Sequence, residues 1–72
     1  MNETVKLNII ADNIRKVRLD NKLTQIEMAE ILGYSERTIR RLETNGTNDI
    51  NVINLIATAF KVSAISILFG CF

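Results

Sequence analysis

At 72 residues the chain is one small domain, a size that buries only about 60% of the surface exposed on unfolding and leaves no room for a large enclosed active site. Hydrophobic residues at 47% and charged residues at 24% exclude intrinsic disorder, while nine Lys+Arg against eight Asp+Glu give a formal charge of +1, so a polyanion would be held by a local patch and not by global charge. With no His and a single cysteine, Cys71, neither an internal disulfide nor a zinc site is available, and Cys71 reads as a small apolar residue, buried or half-exposed.

No window reaches the roughly 20 apolar residues of a membrane span, and Met1-Asn2-Glu3-Thr4 lacks the basic start and apolar run of a secretion signal. No membrane partner is expected, and the chain reads as cytoplasmic. There is no proline, and the only glycines are at 33, 46 and 70; between them the apolar spacing is mostly three and four, which predicts helices and no strands. The first helix is expected from about Leu7 to Asn21, with Leu7, Ile10, Ile14 and Val17 on one stripe and Arg15, Lys16 and Arg18 on its other faces. Thr24 followed by Glu27 is a capping box that opens the second helix, with Leu23 placed to staple onto Met28. Met28, Ala29 and Leu32 share its apolar face, and Gly33 ends it.

Ser35 caps a third helix to about Thr44, so Gly33-Tyr34 is the whole turn between two short helices, which forces a steep crossing. Asn45-Gly46-Thr47-Asn48 reads as an exposed loop. Asp49 caps a fourth helix through Phe60, with Ile50, Ile53, Ala57 and Phe60 inward. Ser63 caps a fifth, Ala64 to Phe69, closed by Gly70. No repeat or low-complexity tract appears.

The informative stretch runs from Thr24 to Glu43. Counting from Gln25, a small Ala29 stands fifth, Gly33 ninth, Ile39 fifteenth and Leu42 eighteenth. Ala29 lets the third helix approach the second, Gly33 makes the turn, and Ile39 with Leu42 fill the angle between them. With Thr24-Gln25, Ser35, Thr38-Ile39, Leu42-Glu43 and the Ala59-Phe60-Lys61-Val62-Ser63 link, this pattern resembles the Cro and phage-repressor type of helix-turn-helix domain, the XRE family. The resemblance covers about Ile10 to Phe69. It implies an all-α, compact, five-helix lambda-repressor-like domain whose third helix, about 35–44, enters the major groove of double-stranded operator DNA.

At 100° per residue, Ile39, Leu42 and Thr38 of the third helix point one way while Glu36, Arg37, Arg40 and Arg41 form an arc on the other side. Crowding these arginines costs about 0.2–0.5 kcal/mol per like-charge pair, a sign that a polyanion reverses. The bland alternative is a solvated basic face, partly relieved by a Glu36–Arg40 pair. By match to the family, Ser35, Glu36, Arg37 and Arg41 are expected at base edges, with Arg40 nearer the phosphates. Arg pairs with guanine O6 and N7, and Glu36 accepts from cytosine N4, each worth about 1–3 kcal/mol of discrimination, so a G·C-containing half-site is expected.

The resemblance assigns Gln25 to clamping the DNA backbone from a helix N-terminus; its plain alternative is an ordinary polar first-turn residue. It also implies a partly buried structural ion pair between Arg18 and Glu43. The loop from Thr44 to Asp49 departs from the family in carrying no Lys or Arg. Phosphate grip then falls to Gln25, Arg40, Asn45 and, from outside the motif, Arg15 or Lys22.

Ile26, Ile31, Leu55 and Ile65 are apolar where the family is usually polar. Leu55 and Ile65, with Phe69 and Phe72, are candidates for a symmetric homodimer interface that would space two recognition helices about 34 Å apart. Alternatively Phe69 and Phe72 fold back to close a small core. The leading expectation is a sequence-specific transcriptional regulator of repressor type. The other is a protein-interaction module or antitoxin using the fourth and fifth helices, and the chain could be the DNA-binding part of a longer regulator. No cofactor, metal or enzymatic activity is expected, since no nucleophile and base can be assembled.

Overall fold

The computed structural model describes the backbone of residues 3–70 and 72 and, among these, the side chains from residue 7 onward; the reading of Cys71 lies outside the described residues. These residues form five α-helices and no strand: α1 (Glu3–Asp20), α2 (Gln25–Leu32), α3 (Glu36–Asn45), α4 (Ile50–Phe60) and α5 (Ala64–Phe69). Helix α1 starts before the expected Leu7, because residues 3–6 contain no glycine or proline to stop it. Its other end is closed by Lys22 in the left-handed region at φ 57°, where the Lys22 N–H donates to the Leu19 carbonyl and the Leu23 N–H to that of Arg18.

The remaining helices start where their caps predict. Thr24 accepts from the Glu27 N–H while the Glu27 carboxylate accepts from the Thr24 N–H at 2.8 Å, closing the capping box. Ser35 accepts from Thr38, Asp49 from Asn51 and Ser63 from Ser66. Each cap satisfies one amide that the helix leaves unpaired, typically worth about 1 kcal/mol. Gly33 closes α2 at φ 76°.

Helix α1 packs against α3 and α5, α2 against α3 and α4, and α4 against α5. The core between them is built from Ile10, Ile14, Val17, Met28, Ala29, Leu32, Ile39, Leu42, Ile53, Ile56, Ala57 and Ile67. Fully burying a branched side chain of this kind contributes about 1.5–3 kcal/mol, and this layer is what fixes α3 in place. Leu7, Leu23 and Phe60 are half-buried against it. Ile50 is not: expected inward, it is 52% exposed. The inward stripe of α4 is Ile53, Ile56, Ala57 and Phe60, and Ile50 lies a turn beyond the core's edge.

Two ties were not foreseen. Buried Asn13 donates its side-chain amide to the Ile67 carbonyl at 2.8 Å, binding α1 to α5. Gly46, expected in an exposed loop, is half-buried; its α-carbon meets the Leu7 backbone so closely that a Cβ would collide with the Leu7 carbonyl oxygen. Among the described residues every buried side-chain nitrogen and oxygen has a hydrogen-bond partner. No helix among them is long and apolar enough to cross a membrane.

Candidate nucleic-acid interface

Helix α3 has two chemically distinct sides. Ile39, Leu42 and Glu43 are buried against the rest of the domain, and Arg37, Arg40 and Arg41 are exposed. The side chains of Arg37, Arg40, Arg41, Thr44 and Asn45 line one shallow, open groove. Arg40 is held by Glu36 one turn earlier at 3.2 Å, whereas neither Arg37 nor Arg41 has an ion-pair partner among the described residues. Two guanidinium groups without ion-pair partners, one turn apart on the exposed face of α3, make a local positive patch in a chain with a formal charge of only +1.

Ser35 sits at the exposed start of α3. Its oxygen accepts the Thr38 N–H at 3.1 Å and shares a hydrogen bond with the Thr38 hydroxyl at 3.0 Å, so the side chain is fixed by its capping duty. Thr44, which the sequence did not single out, turns its hydroxyl back to donate to the Arg40 carbonyl at 2.8 Å. The signal was present in the spacing, because Thr44 stands seven residues from Arg37 and therefore about 20° from it around the helix axis.

The buried side of α3 is anchored by charge. The Arg18 guanidinium donates two bonds to the Glu43 carboxylate, at 2.6 Å from Nε and 2.9 Å from Nη2, and a third to the Leu23 carbonyl. Glu43 is 3% exposed and Arg18 13%. The hydrogen bond with Glu43 raises the Arg18 pKa above its ordinary value; burial opposes the shift and the Glu43 charge reinforces it. This two-point pairing, one bond to each carboxylate oxygen, is the arrangement in which a desolvated Arg–carboxylate pair holds best.

Arg15 joins the same cluster. Its Nη2 donates to the Glu43 main-chain carbonyl at 2.8 Å, and its Nε lies 3.7 Å from the Glu43 carboxylate. Gln25, first residue of α2, makes a long 3.4 Å contact from its side-chain amide to the same carboxylate. The expected ion pair is thus in place, and Gln25 and Arg15 are drawn together with it at the junction of α1, α2 and α3. Lys22, just past the end of α1, is exposed.

The candidate dimer residues lie on α4 (Leu55), on α5 (Ile65 and Phe69) and beyond α5 (Phe72). Leu55, Ile65, Phe69 and Phe72 are all exposed, Phe69 most of all at 64%. Neither phenylalanine closes the core. Phe72 instead lies beneath the Lys16 ammonium of α1, 5.3 Å from ring centre to nitrogen, within range of a cation–π contact.

A family model described as helix-turn-helix matches residues 14–67, a span that takes in α2, the Gly33 turn, α3 and α4. Over 62 residues the chain is 37% identical to the antitoxin PezA of Streptococcus pneumoniae serotype 4. That alignment takes in 83% of this chain and 39% of the relative, so the chain spans well under half the length of that protein.

Proposed function

The chain belongs to the helix-turn-helix family, and from that premise we propose that it is a sequence-specific regulator of transcription that lays α3 in the major groove of duplex DNA in the cytoplasm and represses from its operator. The observation that carries this reading is the pair Arg37 and Arg41, exposed on the outward side of the second helix of the motif and without an acidic ion-pair partner among the described residues. Ser35, Glu36, Arg37 and Arg41 read base edges. Arg40 and Asn45 meet phosphates, Gln25 does so from the N-terminus of α2, and Lys22 with the exposed edge of Arg15 adds charge. Glu36 sharpens choice more than it adds affinity, since a carboxylate repels phosphates while accepting from cytosine N4.

Two copies act together, paired through Leu55, Ile65, Phe69 and Phe72. The exposure of these four large apolar side chains, Leu55 on α4, Ile65 and Phe69 one turn apart on α5, and Phe72 beyond it, supports this, because contiguous apolar surface on a soluble chain commonly marks an interface. Selecting random duplexes with the purified chain and sequencing them tests both halves of the reading. A G·C-containing site repeated as an inverted pair, about one helical turn from centre to centre, is the expected result. The absence of any enriched sequence would overturn it.

The match to an antitoxin favours a second reading, in which α4 and α5 hold a protein partner. The two separate by mutation: charge removal at Arg37 and Arg41 abolishes function under the first reading and leaves partner binding intact under the second.

A further inference from the structure

We infer that Thr44 is a specificity-determining residue that reads the C5-methyl group of a thymine, an inference that rests on the proposed entry of α3 into the major groove. Three observations lead to it. Thr44 lines the same open groove as Arg37, Arg40, Arg41 and Asn45. It stands two turns from Arg37 on nearly the same line along the helix, with Arg41 between them. Its hydroxyl proton is already given to the Arg40 carbonyl at 2.8 Å.

The last point decides the chemistry. A phosphate oxygen only accepts hydrogen bonds, so a threonine whose proton is spent has nothing to offer it. With the hydroxyl engaged by the preceding turn of helix, the γ-methyl is the part of the exposed Thr44 side chain left free to meet a ligand. In the major groove the apolar counterpart to a threonine methyl is the methyl of thymine. The neighbours on this face, the arginines and Asn45, carry polar ends suited to guanine, adenine or phosphate, so Thr44 is the group on the groove that suits an apolar feature. Seven residues of helix span about 10 Å, the length of three base-pair steps at about 3.4 Å each. The thymine therefore lies two to four base pairs from the pair read by Arg37.

The test uses the duplex selected by the intact chain, with each thymine replaced in turn by deoxyuridine, which removes only the methyl group. For the unsubstituted protein, one thymine at that distance from the Arg37 pair should weaken binding about fourfold when replaced, the size expected for burying one methyl. Thr44→Ser should bind thymine and deoxyuridine alike at that position. Thr44→Val, which keeps the methyl and loses the hydroxyl, should retain the difference. A protein indifferent to every deoxyuridine replacement, or a Thr44→Ser variant that still distinguishes the two bases, overturns the inference while leaving the major-groove reading intact. Failure to select any duplex overturns both.

Discussion

Arg18 and Glu43 meet through two hydrogen bonds, one to each carboxylate oxygen, 2.6 and 2.9 Å long, at the junction of α1 and α3. Removing one partner strands the other as a buried charge, which costs about 3–5 kcal/mol. Glu43→Ala should therefore lower the unfolding free energy by about that amount in chemical denaturation, far more than the ~0–1 kcal/mol of an exposed pair. The double variant Arg18→Met/Glu43→Leu should recover most of the loss, because two apolar side chains leave no charge behind. A Glu43→Ala midpoint within error of the parent would contradict the buried pairing. A group whose pKa is raised on folding contributes stability in full below its unfolded value and loses it only as pH climbs through the folded one. For Arg18, whose pKa is raised in the fold, that loss falls in strong alkali, and no titration of this group is expected near neutrality.

Gly33 and Gly46 both have positive φ, but for different reasons. Nothing lies within 4 Å of a Cβ built on Gly33, whereas one on Gly46 meets the Leu7 backbone. Gly33→Ala should cost only the left-handed penalty of about 1–2 kcal/mol. Gly46, at φ 70° and ψ −167°, occupies a region essentially reserved for glycine, at about 1–3 kcal/mol for other residues, and the collision adds to that. Thermal unfolding of the two variants should rank Gly46→Ala clearly below Gly33→Ala.

Lys22 and Lys61 are the non-glycine residues with positive φ among those described, both at 57°. Glycine at either position relieves strain but adds freedom to the unfolded chain. Lys22→Gly and Lys61→Gly should each stabilise by about 0.5–1 kcal/mol, the left-handed relief less the entropic loss. They should differ on DNA. Lys22→Gly should weaken binding and flatten its salt dependence, and Lys61→Gly should do neither. Equal DNA binding by both variants would remove Lys22 from the phosphate contacts.

The arginines of α3 should likewise part company in a salt titration. Each phosphate contact contributes about 0.9 to the slope of log affinity against log salt. Arg40→Ala should reduce that slope by about one and weaken all sequences alike. Arg37→Ala should relax preference at one or two base pairs, a loss of about 1–3 kcal/mol of discrimination. If Arg37→Ala weakens every duplex equally, its guanidinium meets phosphate and not bases.

What was legible in the sequence was what is local. Thr24, Ser35, Asp49 and Ser63 cap helices through bonds that reach two or three residues, and Gly33 and Gly70 close them, so residue type and spacing suffice. The outward arc of α3 follows from helical angle alone. The Arg18–Glu43 pair was reached by resemblance to a family, since nothing in their spacing brings them together. Asn13 and Ile67 lie 54 positions apart, and no pattern announces a bond between them. Gly46 read as loop punctuation because the Leu7 carbonyl that demands a glycine there comes from another helix. Ile50 shows a limit of periodicity, which identifies a stripe but not the point along the helix where the core ends. The left-handed turns at Lys22 and Lys61 passed unseen because neither carries the usual glycine.

The Asn13 bond to Ile67 has a mechanical consequence. Through it α1 becomes a strut, fastened at one flank to α3 by Arg15 and Arg18 and at the other to α5. If two copies pair along α5, the distance between their reading heads is set by these fastenings and not by a hinge. A spacer altered by a single base pair would then have to be accommodated by twisting or bending the duplex, and the stiffness of the intervening DNA would enter the choice of target.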